Sequence, residues 1–211
     1  MKHPAHPGVC FVTGRASGLG RPLIEVARSA IEGGCDLVQV REKELTGGPL
    51  LQMAREVVEL AKPRSPRCAV LVNDRLDVAL AARAAGVHLP ADGLPIEQVR
   101  RHAGRRFLIG RSVHSLAEAR RAQKEGADYI FFGPVFATPS KASFGRPQGP
   151  EALKKVVESV RIPVWAIGGV DPATAAELRG IRIAGVAVIS FILSAADPSE
   201  AVRALRGILS V

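Results

Sequence analysis

Residues 36–74 read DLVQVREKELTGGPLLQMAREVVELAKPRSPRCAVLVND, and the order of patterns within them decides the fold. The run DLVQVRE (36–42) is short and rich in β-branched residues, and AVLVND (69–74) repeats that character. Between them, GPLLQMAREVVELAK (48–62) carries its apolar residues at helical spacing. Two strands joined by a helix-length crossover lie parallel. The centres of both strands, Leu37-Val38 with Val40 and Ala69 to Val72, place apolar residues at odd and even positions alike, so both faces are buried and helices must cover the sheet.

The same alternation continues in both directions. Further strand-like runs are VCFVTG (9–14), GVHLP (86–90), FLIGRSV (107–113), YIFFGPV (129–135), VWAIGG (164–169) and GVAVIS (185–190), which makes eight. Helix-like segments fill the gaps at 21–34, 75–86, 95–103, 115–127, 149–160, 171–180 and 197–211, several of them opened by Asp, Ser or Pro. Eight βα units predict an α/β fold, the closed (β/α)8 TIM barrel, in one domain over 1–211. An open doubly wound sheet is the alternative. It is weakened because TGRASGLGR (13–21) is glycine-rich but lacks the GxGxxG spacing.

Composition narrows the function classes. The start, MKHPAHPGVC, has no apolar leader core and no run is long enough to span a bilayer, so the expectation is a soluble cytoplasmic protein with no membrane partner. The three cysteines, 10, 35 and 68, are odd in number and set in apolar segments, which suits buried thiols rather than disulfides or a zinc site. The formal charge of +9 admits phosphorylated metabolites, lipid or nucleic acid. Its arginines are scattered along helical segments with almost no aromatic residues between them, so no nucleic-acid partner is expected.

In a barrel of this kind, chemistry gathers where strands hand over to helices. Those positions here hold Gln39, Arg41 and Lys43; Asn73 and Asp74; His88; Ser112 and His114; Thr138, Ser140 and Lys141; Gly168 and Gly169; and Ser190. Each also has a plain structural use. Gln39 and Arg41 share a strand face and could pair with Asp74, Asn73-Asp74 could cap a helix, and His88 between two apolar residues suits a satisfied core histidine. The glycine pair is different in kind, because it exposes backbone N–H groups to an anion after strand seven, with Ser190 placed to join it. FFGPVFATPSKASFGRPQG (131–149) has no helical period and reads as a long functional loop over the barrel mouth. Thr138, Ser140 and Lys141 would give it a grip for phosphate.

VQVREK (38–43), VND (72–74), GVHLP (86–90), IGRSVHSLAEA (109–119), GADYIFFGPVFATPSK (126–141), IPVWAIGG (162–169) and GVAVIS (185–190) together resemble the thiamine phosphate synthase/TenI family, in order and across most of the chain. The resemblance implies two activities. A TenI-like thiazole tautomerase aromatises a dihydrothiazole carboxylate phosphate by moving a proton, needs no cofactor, and uses the histidine matching His114 as the shuttle. A thiamine phosphate synthase joins hydroxymethylpyrimidine pyrophosphate to thiazole phosphate and needs Mg2+. Its pyrophosphate grip maps onto Gln39, Arg41, Lys43, Asn73, Thr138, Ser140 and Lys141, which in the tautomerase would hold the substrate carboxylate instead, and Asp74 is a metal ligand only in the synthase. In either case Gly168, Gly169, Ile189, Ser190 and Ser112 would hold the thiazole phosphate, the small-molecule partner. The family's second metal-binding Asp is missing: PADG puts Gly93 in its place, with Asp92 one residue early. With GRSVHS and HLP resembling TenI, the tautomerase is the leading expectation and the synthase the alternative. A non-catalytic barrel that binds thiazole or thiamine phosphate is a further one, and a homo-oligomer is left open.

Overall fold

The structure is a computed structural model that describes residues 7–14, 20–64, 68–138 and 147–210. Strands and helices alternate as β1 (Gly8–Val12), α1 (Leu23–Glu32), β2 (Leu37–Val40), α2 (Gly47–Arg64), β3 (Ala69–Asn73), α3 (Leu76–Ala81), β4 (Gly86–Leu89), α4 (Ile96–Ala103), β5 (Leu108–Val113), α5 (Leu116–Lys124), β6 (Tyr129–Phe132), α6 (Gly149–Ser159), β7 (Val164–Ile167), α7 (Pro172–Ala176), β8 (Gly185–Val188), α8 (Ser190–Leu193) and α9 (Pro198–Leu209). The strands pair in sequence order, all parallel, and β1 closes on β8 with Val9 opposite Val186. This is the (β/α)8 barrel expected from the eight apolar runs. No helix of the described residues is long and apolar enough to cross a membrane.

The strands are shorter at their carboxyl ends than their apolar runs. Strand β2 ends at Val40, β6 at Phe132, β7 at Ile167 and β8 at Val188, so Arg41, Gly133, Gly168 and Ile189 leave the ladder and enter the loops above it. Gly168 cannot extend its strand, because its φ of 96° lies in the left-handed region. Helix α8 is absent from the sequence reading, which ended strand eight at Ser190. Ile189, at φ −109° and ψ −81°, breaks the extended backbone, and Ser190 opens a four-residue helix instead.

Two apolar layers hold the barrel. Between strands and helices lies the larger one, with Val9, Val38, Val72, Val87, Ile130 and Val186 against Ala27, Val57, Ile96 and Val202. Inside the barrel, Cys10, Val12, Leu37, Leu71, Tyr129, Phe131, Trp165 and Ala187 fill the lumen. The alternation is the strand period of two, with odd positions of β1's partners facing in and even ones out. Room for the large interior rings comes from glycines. A Cβ on Gly110 would overlap the Tyr129 ring, and one on Gly185 would overlap Trp165 and the Gly8 carbonyl. The Trp165 indole N–H is the one buried side-chain donor without a partner among the described residues, so shape rather than hydrogen bonding keeps that ring in the lumen.

Asp36 ties the amino-terminal end together. Its carboxylate accepts from the Val9 N–H at 2.9 Å and from Arg206 of α9 at 2.6 Å, joining β1, β2 and the last helix. Cys10 and Cys35 are buried free thiols and Cys68 is half-buried, in keeping with the sequence reading. Burial pushes all three up, Cys68 to about 12, so they stay protonated at neutral pH.

Because the lumen is filled, Gly185→Ala should force a ring or a strand to shift. We expect a loss of about 3 kcal/mol of stability, read as a lowered midpoint in urea denaturation with an unchanged slope.

Candidate functional site

Every strand's carboxyl end faces the same side, and the residues beyond those ends form one rim. In an eight-membered ring β2 and β3 stand across from β6 and β7, so two clusters of polar groups confront each other.

The first cluster stands on β2, β3 and the loop after β1. Gln39 points into the lumen, is 2% exposed and donates from Nε2 to Asn73 Oδ1 at 2.9 Å. That bond locks both amides, leaving the Gln39 carbonyl as an acceptor and the Asn73 NH2 as a donor. Arg41 is half-buried and Lys43 exposed just above them. The backbone that carries these cations is fixed from β1: Thr13 Oγ1 accepts from the Arg41 N–H at 2.8 Å and donates to buried Glu42 at 2.6 Å. Thr13 and Glu42 escaped the sequence reading, although a hydroxyl directly after an apolar strand was a usable signal. Among the described residues no ion pair joins Arg41 to Asp74. Asp74 is exposed, adopts φ 62°, and donates its N–H to the His88 carbonyl at 2.8 Å. It does not cap α3, whose N-cap is Arg75.

The loop between β4 and α4 is held from below by a buried arginine that the sequence reading passed over. Arg111, 7% exposed, donates to the carbonyls of Pro90 at 2.8 Å, Gly93 at 3.3 Å and Leu94 at 2.6 Å. Burial lowers its pKa, yet four loop carbonyls in reach, Ala91 included, solvate the charge in place of a carboxylate. Gly93, where the resemblance expects a metal-binding Asp, has no space for a side chain: a Cβ there would stand 2.8 Å from Pro90 Cδ. The departure is therefore built into the loop's path.

Across the mouth, Gly168 and Gly169 both have positive φ, 96° and 66°. Their tight turn is packed by the segment after β6. A Cβ on Gly168 would sit 2.7 Å from Pro134 Cα, and one on Gly169 2.8 Å from Phe136 Cβ. Val135 and Phe136 donate to the carbonyls of Ile167 and Gly168 at 2.9 and 3.0 Å. The carbonyls are thus consumed, whereas the N–H groups of Gly168 and Gly169 meet no acceptor among the described residues. That is the pattern of an anion cradle. Half-buried Ile189 and exposed Ser190 lie beside it, after β8.

His114 stands between the two clusters. Its ring Nδ1 bonds the Gly133 carbonyl, and a carbonyl only accepts, so Nδ1 carries the proton and the lone pair is on Nε2. Glu118 accepts from the His114 backbone N–H at 2.7 Å. The imidazole is thereby tethered to the base of the β6–α6 loop, whose ends are stitched by Gln148 and Gly149 N–H bonds to Pro134 and Val135. Thr138 is half-buried at the last described position of that loop's first limb. Ser140 and Lys141 lie outside the described residues.

The floor below is aromatic and polar together. His88 is 1% exposed, as expected of a core histidine, and stacks on Phe131 at 4.2 Å between ring centroids. Its ring nitrogens meet Tyr129 and Ser112, so Ser112, half-buried at the rim, is supported from inside the barrel. Burial first, and then the cations of Arg111 and Arg41, hold the His88 pKa down to about 3.

Among the described residues no group of three or more His, Cys, Asp and Glu side chains could hold a metal ion. Asp74 offers an exposed carboxylate just beyond the end of β3.

A family model described as thiamine monophosphate synthase matches residues 9–192. The chain is 44% identical over 195 residues to a thiamine-phosphate synthase of Methanoculleus marisnigri, covering 92% of each. To that of Moorella thermoacetica it is 40% identical over 193 residues, covering 92% of this chain and 91% of the other. A thiamine phosphate pyrophosphorylase from Pyrococcus furiosus superposes with a TM-score of 0.87 at 38% identity, covering 96% and 95% of the two chains. These relatives favour the synthase, which the sequence reading held as its alternative, over the tautomerase that it placed first.

Neutral His88 makes stability sensitive to acid. An unfolded imidazole takes a proton near 6.5 and the folded one only near 3, so between these values the unfolded state binds more protons and stability falls as pH is lowered. We expect a loss of up to about 1.4 kcal/mol per pH unit from this group below pH 6.5, seen as a falling urea midpoint between pH 7 and 5.

Proposed function

The chain belongs to the thiamine monophosphate synthase family, and on that premise we propose that it joins hydroxymethylpyrimidine pyrophosphate to thiazole phosphate and releases pyrophosphate. The observation that carries this reading is the pairing of two anion grips on opposite arcs of one rim. A thiazole carboxylate phosphate would also bring two anions, but its second is a single carboxylate; two cations, Arg41 and Lys43, over a pair of amides suit the larger charge of a pyrophosphate.

On the β2–β3 arc, Arg41 and Lys43 meet the pyrophosphate, with Gln39 and Asn73 beneath them. On the β7–β8 arc, the Gly168 and Gly169 N–H groups, with Ile189 and Ser190, take the thiazole phosphate, and Ser112 lies between. The bond between the pyrimidine's methylene carbon and oxygen breaks with its electron pair leaving on pyrophosphate, and the thiazole nitrogen supplies the pair for the new bond to that carbon. Charge therefore builds on the leaving group, toward which Arg41 and Lys43 extend from a backbone that Thr13 and Glu42 hold. Thr138, Ser140 and Lys141 would complete that grip from the β6–α6 loop.

Mg2+ fits this donor set in one way. The ion commonly binds through one or two carboxylates together with substrate phosphates, and the lone carboxylate of Asp74, beside a pyrophosphate, meets that description. A protein cage does not, given Gly93. When bound, the ion would draw off charge from the pyrophosphate oxygens. Asp74 would hold it, and Asp92 is one residue away from the family's second ligand position.

The purified protein with both substrates should release pyrophosphate in a Mg2+-dependent reaction, and Asp74→Ala should lower kcat/KM by about 100-fold or more. Absence of pyrophosphate release would overturn the proposal.

One observation favours a second reading, the thiazole tautomerase: His114 has its tautomer fixed by Gly133, with a basic Nε2 left over. The two readings give His114 different work. In the synthase it braces the loop base, a task the Asn amide can perform from the Nδ1 position, so His114→Asn should cost pyrophosphate release less than about tenfold. In the tautomerase the same variant removes the base and should cost roughly 100- to 10,000-fold in thiazole aromatisation. Assay of both products from both proteins separates them.

A further inference from the structure

Under the barrel mouth three side chains form a line. The Tyr129 hydroxyl lies 3.1 Å from His88 Nδ1, and His88 Nε2 lies 2.9 Å from the Ser112 hydroxyl. Tyr129 and His88 are buried, 0% and 1% exposed, while Ser112 is half-buried at the carboxyl end of β5. A neutral imidazole has one N–H and one lone pair, so the line has a direction.

Tyr129 sets that direction. Its O–H is enclosed in the lumen, and among the described residues His88 Nδ1 is the acceptor it reaches. Reversing the chain would leave the phenol hydrogen buried without a partner, which costs more than a hydrogen bond gains. The hydroxyl therefore donates to Nδ1, the proton of the imidazole is on Nε2, and Nε2–H donates to Ser112 Oγ. With that lone pair occupied, the Ser112 hydrogen is turned away from His88.

We infer that Tyr129 and His88 are positioning residues that free the Ser112 hydroxyl hydrogen to be donated toward bound ligand, so that it meets an acceptor, an unprotonated ring nitrogen or a phosphate oxygen. The inference rests on the reading above for the placing of Ser112 beside the ligand. The direction of the chain stands on the buried geometry alone. It also explains why a histidine next to the site stays neutral: an imidazolium would donate from both nitrogens and leave the Tyr129 hydrogen without an acceptor.

The test begins with the intact protein. Long-range 1H–15N correlation of its histidine rings near pH 7.5, with His88 assigned by its loss in His88→Gln, should give the Nε2–H tautomer. Tyr129→Phe should move the Nδ1 resonance toward that of an unbonded lone pair. An Nδ1–H tautomer for His88 in the unsubstituted protein would overturn the inference, and that spectrum decides even where a variant fails to fold. Ser112→Ala is then titrated with inorganic pyrophosphate and, separately, with 4-aminopyrimidine. Affinity for one of them should fall about tenfold, and which one identifies the acceptor. His88→Gln, which keeps an amide N–H near Nε2, should hold that affinity within about threefold. Affinity of Ser112→Ala for both probes unchanged from that of the unsubstituted protein would also overturn the inference. Failure of pyrophosphate release would remove the synthase reading and leave the tautomer result untouched.

Discussion

Closure of the parallel ladder is the constraint on which the rest depends. Gly8 to Phe11 of β1 pair with Gly185 to Val188 of β8, so the sheet has no edge and all strand carboxyl ends share one rim. Residues far apart in sequence, such as Arg41 and Gly169, become two sides of one mouth. The closure is itself a packing result. Trp165 reaches the amino-terminal end because Gly8 and Gly185 have no side chains, and Asp36 clips β1 and α9 to the start of β2.

Within that frame the lumen changes character along its axis. Its lower part is apolar, with Leu37, Leu71 and Trp165. Its upper part holds polar groups bonded to one another, Gln39 to Asn73 and His88 to Tyr129 and Ser112. Satisfied pairs of this kind are stiff, because breaking one strands a buried donor or acceptor. The floor of the site is therefore fixed before any ligand arrives, in keeping with catalysis by preorganised groups.

The loops above the floor are fixed by backbone rather than by side-chain pairing. Arg111 gathers the carbonyls of the β4–α4 loop, and the segment after β6 donates to the carbonyls of the glycine turn while His114 bonds Gly133. Both arrangements occupy carbonyl groups, and the second leaves the Gly168 and Gly169 N–H groups without an acceptor among the described residues. A rim so built is complementary to anions, and the formal charge of +9 adds a general field of the same sign.

The apolar runs, read by their period, determined the eight βα units by themselves, since burial on both faces of a strand leaves few other architectures. They also marked Gln39, Arg41, Asn73, Asp74, Ser112, His114 and Gly168-Gly169 as strand-end residues. What they could not fix was where each strand stops, because a Gly168 in the left-handed region or an Ile189 that breaks the ladder looks apolar or neutral in sequence. Nor could they reveal that Thr13 and Glu42 set Arg41, that Arg111 holds the loop of Gly93, or that Tyr129 orients His88. Those contacts span 17 to 41 positions along the chain and exist because the barrel sets neighbouring strands in register and brings β6 side chains to β4 in the lumen. Periodicity reports which face a residue occupies, and only the closed barrel decides which residue it meets there.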